Sequence, residues 1–234
     1  MSPINLVCLD ADDTLWRNEI YFRAVEADVA VLLSQWTDSS NVASHLLDVE
    51  RANIVRYGFG VKAFALSLIQ TGLELSGGDI SAATIGEILR LTNTILDQPV
   101  ELLDDVVDAV EILSAQWPLV LVTKGDIVHQ EAKIMESGLS HHFRSIEIVA
   151  HKDRGTYERI FRRHGVDPGA VVMVGNSVKS DILPIVELGG FGIHVPHDHG
   201  WALEHAELPE HPRVYHVDRF AAVAGALQQI LTST

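Results

Sequence analysis

The sequence predicts an α/β protein in which a core built on a parallel sheet carries an inserted domain made only of helices. Short apolar runs alternate with helical patterns after Pro99, as in a parallel sheet. Residues 17–98 instead repeat apolar side chains at helical spacing and show no strand pattern. One apolar run, residues 6–9, precedes this helical block. We therefore assign residues 1–16 and 99–234 to the core and 17–98 to the insertion.

The first strand ends in carboxylates. Residues 6–9 are all apolar, as expected of a strand buried on both faces, and Asp10, Asp12 and Asp13 follow at once. Side chains two apart on an extended backbone point the same way, so Asp10 and Asp12 can converge on one site while Asp13 points elsewhere. Two such carboxylates repel each other, and a hard cation with oxygen ligands would hold both.

The remaining elements follow in alternation. The insertion contains four predicted helices, with turns at 39–41, 57–60 and 76–79. In the core we predict helices at 104–116, 127–137, around 157–161 and at 220–231, and strands at 119–122, 146–149, 171–174, 193–195 and 215–217. Tyr157 and Phe161 share one helix face and are predicted core residues. Ligands of open parallel sheets bind at the carboxyl ends of the strands, which directs attention to the residues found there.

Three of these strand ends carry candidate site residues. Thr123 closes the second strand and is either a site hydroxyl or a helix-capping one. Lys124 is a candidate substrate-binding residue, with a solvated lysine as the alternative. Lys152 follows the third strand, where an ammonium held between Asp10 and a second carboxylate would lower their repulsion and counter charge in a transition state.

The fourth strand leads into Gly-Asn-Ser-Val-Lys-Ser-Asp, residues 175–181. Gly175 permits a close backbone turn. The amide oxygen of Asn176 can bind a divalent cation, and Asp181 lies one helical turn later, within reach of the metal or of Lys152. The alternative for Asn176 and Ser177 is a helix cap.

Composition limits the function classes. Seventeen basic against 32 acidic residues give a net charge of −15, which works against nucleic-acid and membrane binding. No long apolar run or leader pattern is present, so we expect a soluble cytoplasmic protein. Cys8 is expected to be a buried apolar residue, and the twelve histidines match no zinc signature. A phosphorylated ligand would need local positive charge from a cation or from a few placed Lys and Arg side chains, and the five lysines are few enough for each position to be informative.

Asp10-Ala11-Asp12-Asp13-Thr14 resembles the first motif, D-x-D-x-T, of the haloacid dehalogenase-like (HAD) hydrolase superfamily. The resemblance implies that Asp10 is a nucleophile forming an aspartyl-phosphate and that Asp12 is a general acid/base. Thr123 resembles the second motif, which binds the phosphoryl group, and Lys152 the third, although Asp153 stands where the family often has proline. Residues 175–181 resemble the fourth motif, G-D-S-x-x-x-D, with Asn176 in place of the first aspartate.

The resemblance implies a Rossmann-like core, an α-helical cap that selects the substrate, and a Mg²⁺-dependent phosphatase acting on a small phosphorylated metabolite. The implied metal ligands are Asp10, Asp12, Asn176 and Asp181. The implied substrate-binding residues are Thr123, Lys124 and Lys152, and the implied catalytic residues are Asp10, Asp12, Thr123 and Lys152.

Several alternatives stay open at this point. A phosphomutase shares every core motif, and a phosphonate hydrolase would use a cap lysine, for which Lys62 is the only candidate. The carbon–halogen cleaving branch lacks the second aspartate, so Asp12 favours phosphoryl transfer. A non-catalytic binding protein would account for Asn176. The sequence leaves the oligomeric state and the substrate undetermined.

Overall fold

The computed structural model describes residues 4–233, which form two compact units. The sheet unit consists of the described parts of Met1–Arg17, Val100–Lys124 and Gln130–Thr234. The helical unit consists of Asn18–Pro99 together with Gly125–His129. The sequence analysis placed the short segment 125–129 with the sheet, whereas here it packs with the helices.

The sheet unit contains six parallel strands, and the predicted α/β fold class is confirmed. The strands are β1 (Leu6–Leu9), β2 (Leu119–Lys124), β3 (Ser145–Val149), β4 (Val171–Gly175), β5 (Phe191–His194) and β6 (Val214–His216). Their order is β3-β2-β1-β4-β5-β6, so β1 lies between β2 and β4. All carboxyl ends therefore meet at one edge, where the candidate residues were predicted to gather.

Helices cover both faces of the sheet. They are α5 (Val106–Ser114), α6 (Ile127–Glu136), α7 (Arg154–His164), α8 (Leu183–Glu187) and α9 (Val223–Ser233), with a π-helical turn at Val178–Ile182. Leu6 and Cys8 pack in one apolar cluster with Tyr157 of α7, while Val7 and Leu9 belong to a second cluster that includes α5 and α9. Because successive strand residues point to opposite faces, β1 contributes to both clusters.

The helical unit has its own apolar core. Its helices are α1 (Glu19–Leu32), α2 (Ser39–Tyr57), α3 (Val61–Leu75) and α4 (Ala82–Leu96), as the helical periodicity predicted. Asp38 and Ser81 accept the backbone N–H groups that start α2 and α4. Segment 125–129 is bound to this unit by an ion pair between Lys62 Nζ and Asp126 Oδ2, 2.8 Å apart. No helix within residues 4–233 combines the length and apolarity needed to span a bilayer.

A short two-stranded ribbon joins the two ends of the insertion. Arg17 donates its backbone N–H to the carbonyl of Glu101 at 2.9 Å, and Leu103 donates to the carbonyl of Leu15 at 2.9 Å. Trp16 and Leu102 form the bridge between these hydrogen bonds. The chain therefore leaves the sheet unit before α1 and returns to it after α4 at the same place.

Gly165 ends α7 in the left-handed region, with φ +66°, and a Cβ there would meet nothing within 4 Å. We therefore predict that Gly165→Ala lowers the free energy of unfolding by about 1 kcal/mol through backbone conformation alone. Gly155, in the first turn of the same helix, meets only ordinary contacts at 3.6 and 3.7 Å, so Gly155→Ala should be neutral or stabilise by about 0.5 kcal/mol. Urea unfolding of both variants checks the pair, and equal effects would contradict it.

Candidate active site

A tight turn after β1 sets the positions of the acidic residues. The carbonyl of Ala11 accepts the backbone N–H groups of Thr14 and Leu15, at 3.2 and 2.7 Å, and Asp13 adopts a left-handed conformation with φ 58°. Asp13 thereby reverses the chain, and its carboxylate lies 3.7 Å from His197. The direction of the Asp13 side chain is therefore set by this turn and not by the alternation of an extended strand.

The centre of the site is a buried group of two carboxylates and one ammonium. Lys152 Nζ donates hydrogen bonds to Asp10 Oδ1 and, at 2.7 Å, to Asp181 Oδ1. The three residues are 6%, 6% and 0% exposed in the order Asp10, Lys152, Asp181. The structure therefore places the lysine between two carboxylates, as the sequence analysis predicted for Lys152.

The charges in this group do not balance. Burial raises the pKa of Asp181 to about 7, Lys152 opposes that rise, and the charge of Asp10 adds to it. Burial lowers the pKa of Lys152, but the two carboxylates outweigh burial and raise it overall, so the ammonium stays charged. With both acids ionised the group carries one excess negative charge, which a bound cation would neutralise.

Gly175 makes room for Asp181. The Asp181 carboxylate is held from the other side by the backbone N–H of Ser177, which donates to Oδ2 at 3.0 Å. A Cβ at position 175 would lie 2.2 Å from that same oxygen, closer than any real contact. Ser177 also accepts the N–H of Ser180 at 3.1 Å and so caps the π-helical turn. The capping alternative therefore holds for Ser177.

Asn176 faces the first strand instead. Its Oδ1 lies 3.3 Å from the hydroxyl oxygen of Thr14, and its backbone N–H donates to that hydroxyl at 3.1 Å. The same hydroxyl donates to Asp10 Oδ2 at 2.9 Å. The oxygen atoms of Asp10 and Asn176 thus flank one buried hydroxyl group, and Thr14 links the first and fourth candidate motifs.

Asp12 is bound by three donors. Its Oδ1 accepts from Lys133 Nζ at 2.6 Å and from Trp16 Nε1 at 2.7 Å, and its Oδ2 accepts from Gln130 Nε2 at 3.1 Å. Burial alone would raise the pKa of Asp12, but the ammonium and these hydrogen bonds lower it overall. Asp12 is therefore ionised in this arrangement.

Thr123 joins the same network. Its hydroxyl accepts from Gln130 Nε2 at 2.6 Å, which connects the end of β2 to the residues around Asp12. The capping alternative for Thr123 is not what the structure shows, because Asp126 accepts the N–H of His129 at the start of α6. Thr123 is 1% exposed.

Lys124 is not a solvated lysine, and that interpretation is wrong. Its Nζ lies 2.6 Å from Glu204 Oε1 and donates to Ser180 Oγ at 2.9 Å. Burial lowers the pKa of Lys124, although the negative charge of Glu204 opposes the effect. Glu204 also accepts hydrogen bonds from Ser177 and Ser180.

Sequence reasoning missed four members of the site. These are Thr14, Gln130, Lys133 and Glu204. Gln130 and Lys133 are three apart on α6 and are buried, whereas the apolar Ile127, Val128 and Met135 of the same helix are exposed, so the apolar pattern of α6 did not mark its inward face. Thr14 stands inside the motif quoted for Asp10. Glu204 lies in a loop with no periodic pattern and left no signal.

The oxygen atoms around Asp10 fit a hard divalent cation. Among residues 4–233 no cluster of three or more His, Cys, Asp and Glu side chains is arranged to hold a metal. Asn176 is an amide and falls outside that set, yet its Oδ1 faces the same hydroxyl as Asp10 Oδ2. Carboxylate oxygens keep lone pairs beyond their present hydrogen bonds, and with both acids ionised the group has excess negative charge. The carboxylate of Asp12 is instead bound by Lys133, Trp16 and Gln130.

Comparisons with a family model and with solved structures agree with each other. A family model described as haloacid dehalogenase-like hydrolase matches residues 4–189. A haloacid dehalogenase-like family hydrolase from Xanthomonas campestris is 38% identical, with both chains covered over 100% of their length and a TM-score of 0.86. Comparison with curated proteins gave no match.

More distant solved structures share the fold. A putative HAD-hydrolase, YfnB, from Bacillus subtilis, described as bound to magnesium, is 17% identical, with 96% of this chain and 99% of that chain covered and a TM-score of 0.67. A 2-haloacid dehalogenase from Pseudomonas syringae pv. Tomato is 19% identical, with 97% and 99% covered and a TM-score of 0.63.

The fit between Gly175 and Asp181 leads to a prediction. Gly175→Ala should lower the free energy of unfolding by about 3 kcal/mol or more, because the added methyl group displaces a buried carboxylate from its lysine. Gly225, exposed on α9 with open space around it, provides the control, and Gly225→Ala should be neutral or mildly stabilising. Urea unfolding measures both changes. A Gly175→Ala protein as stable as wild type would show that this packing has been misjudged.

Proposed function

The chain belongs to the haloacid dehalogenase-like hydrolase family, and within that family we propose that it is a Mg²⁺-dependent phosphatase of a small phosphate monoester. The observation that carries this proposal is the pair of acids on one turn after β1. Asp10 is fixed by Lys152 and Thr14, while Asp12 is held separately by Lys133. One acid is thus placed to act as nucleophile and the other to transfer protons.

The distribution of lysine supports an anionic substrate. The chain has five lysines and a net charge of −15. Lys124, Lys133 and Lys152 each bind a residue at the carboxyl edge of the sheet, and Lys179 donates to the carbonyl of Leu203 beside it. Four of the five lysines therefore bind residues at or beside this edge, where recognition of a phosphoryl group requires positive charge.

In the first step a carboxylate oxygen of Asp10 attacks phosphorus and the bond to the leaving oxygen breaks. Asp12 is ionised in the ligand-free protein, so it first takes up the proton of the bound phosphate monoanion. It then gives this proton to the leaving oxygen, so the product leaves as an alcohol. Lys133 and Trp16 both bind Oδ1 of Asp12, at 2.6 and 2.7 Å, whereas Gln130 binds Oδ2 at the longer distance of 3.1 Å, so we place the transferable proton on Oδ2. Lys152 counters the charge that develops on the phosphoryl oxygens, and the Thr123 hydroxyl binds one of them.

In the second step water attacks the phosphorus of the aspartyl-phosphate. Asp12, now ionised, takes a proton from this water, and the bond from phosphorus to Asp10 breaks to release inorganic phosphate. Burial raises the pKa of Asp12, but the charge of Lys133 and the hydrogen bonds to the carboxylate lower it overall, which favours the ionised form that can take this proton. At the end of the cycle the carboxylate of Asp10 is free again, and Asp12 becomes ionised once more by giving the proton taken from water to the departing phosphate.

Asp10, Asn176 and Asp181 would hold the Mg²⁺ ion. When bound, the ion supplies positive charge that offsets the excess negative charge of these acids and of the phosphoryl group. The relative YfnB, described as magnesium-bound, supports this cofactor for the fold. Because Asn176 replaces a charged ligand with a neutral one, we expect weaker cation binding than a second aspartate would give.

The dehalogenase alternative is less well supported, because Asp12 has no use when halide leaves without a proton. A phosphonate hydrolase would need a reactive amine on the helical unit, whereas Lys62 is paired with Asp126 within that unit. A phosphomutase would use the same residues, and the fate of the phosphoryl group separates it from a phosphatase.

Asp10→Asn should lower kcat with p-nitrophenyl phosphate and Mg²⁺ by about 10³-fold or more, because the nucleophile is removed. Asp108→Asn, an exposed carboxylate on α5, is the charge-matched control and should keep wild-type activity. Release of inorganic phosphate and p-nitrophenol in equal amounts distinguishes hydrolysis from transfer to another alcohol. Unchanged turnover in Asp10→Asn would contradict the proposed function.

Asn176→Asp should preserve activity and lower the Mg²⁺ concentration for half-maximal rate by about three- to tenfold, because a charged ligand replaces a neutral one. Asn93→Asp, exposed on α4, controls for the added charge and should leave the Mg²⁺ dependence unchanged. Titration of the initial rate with Mg²⁺ measures both. Loss of activity at every Mg²⁺ concentration in Asn176→Asp would refute the ligand role.

A further inference from the structure

Three donors at the carboxyl edge of the sheet converge on one carboxylate. Lys124 Nζ lies 2.6 Å from Glu204 Oε1, Ser177 Oγ donates to Oε2 at 2.7 Å, and Ser180 Oγ donates to the same oxygen. We call Lys124, Ser177 and Ser180 the anion cradle. An ammonium and two hydroxyl groups form a donor set suited to an oxyanion, and charge-assisted bonds of this kind are strong.

Glu204 reaches the anion cradle from a loop that contributes nothing to the core. From residue 196 to residue 213 every side chain is exposed or only partly buried. The side chain of Glu204 is nevertheless only 16% exposed, and that of Lys124 only 17%. Another tie between the loop and this edge is the hydrogen bond from Lys179 Nζ to the carbonyl of Leu203, at 2.8 Å. Withdrawing Glu204 would therefore break polar contacts without opening the apolar core.

The anion cradle adjoins the group around Asp10. Ser177 donates its backbone N–H to Asp181 Oδ2 at 3.0 Å, and Asp181 shares Lys152 with Asp10. Lys124 directly follows Thr123, which we assign to the phosphoryl group. A substrate whose phosphorus faces Asp10 would thus have its remaining atoms close to the cradle.

We propose that Glu204 is an internal substitute for the substrate, and that the anion cradle takes a carboxylate carried by the phosphate monoester. This inference rests on the proposed phosphatase function and names its substrate class, the phosphorylated hydroxy acids. Exchange of one carboxylate for another keeps the buried ammonium of Lys124 paired throughout. A phosphate monoester that lacks a carboxylate cannot replace Glu204 in this way, because Lys124 would be left with an unpaired charge.

The test compares two ligands that differ at one group. D-3-Phosphoglycerate carries a carboxylate where sn-glycerol 1-phosphate, which has the same configuration at C2, carries a hydroxymethyl group. Binding of each is measured calorimetrically, with Mg²⁺ present, to Asp10→Asn protein, which removes turnover from the measurement. Glu204→Gln is added to remove the competing charge, and Glu207→Gln, exposed on the same loop, is the matched control.

Removing the competing carboxylate raises the fraction of binding-competent protein, so Glu204→Gln should tighten D-3-phosphoglycerate binding by about tenfold and leave sn-glycerol 1-phosphate binding within about twofold. Glu207→Gln should change neither. In the double variant Lys124→Met with Glu204→Gln, which removes both charges of the pair, the preference for 3-phosphoglycerate should disappear. Thermal unfolding verifies that each variant is folded.

Absence of a preference for 3-phosphoglycerate in Glu204→Gln, equal tightening of both ligands, or a preference that survives in the Lys124→Met double variant would each overturn the inference. None of these results bears on whether Asp10 is the nucleophile, because that is decided separately by the turnover of Asp10→Asn. The phosphatase proposal can therefore stand while this inference fails.

Discussion

The ammonium group of Lys152, buried between Asp10 and Asp181, is the interaction on which the rest of the site depends. It joins the end of β1, the approach to α7 and the π-helical turn after β4 through one atom. Removing one partner from such a buried group typically costs about 3–5 kcal/mol, since the remaining charge is left without compensation. A lysine just before a helix N-terminus is also disfavoured by the helix dipole. The two carboxylates offset both costs. The geometry of the site therefore depends on correct assembly of the sheet, which brings these three residues together.

The same logic extends across the carboxyl edge. Lys133 binds Asp12, and Lys124 binds Glu204, so positive charge at this edge is held by fixed carboxylates. The protein as a whole repels anions, and its net charge of −15 gives no long-range attraction for them. Recognition of an anionic ligand must then be short-ranged, with the ligand's anionic groups replacing carboxylates that are bound to these lysines. This favours ligands whose negative charges match the positions of the carboxylates that they replace.

The sequence predicted the parts of this site that lie at or just after the ends of strands, because continuous apolar runs mark buried strands and a parallel sheet places their carboxyl ends together. Asp10, Thr123, Lys152 and Asp181 were found in this way, and the structure brings them to one edge. The remaining site residues depend on which face of α6 packs against the sheet and on where the irregular loop after β5 contacts the carboxyl edge. Neither of these follows from local periodicity. The positions of Gln130 and Lys133 depend on the inward face of α6, and the position of Glu204 depends on the path of the loop. Boundary differences of one to three residues at strand and helix ends follow from fraying and do not move any site residue.

The ribbon between residues 15–17 and 101–103 has a consequence for how the chain reaches its native topology. Strands β1 and β2 are neighbours in the sheet but are separated in sequence by the entire helical unit. Closing so long a loop in an unstructured chain is entropically unfavourable and slows folding. If the helices collapse first, their two ends are already held near each other and the effective loop shrinks to a few residues. The inserted unit would then accelerate assembly of the very sheet that it interrupts.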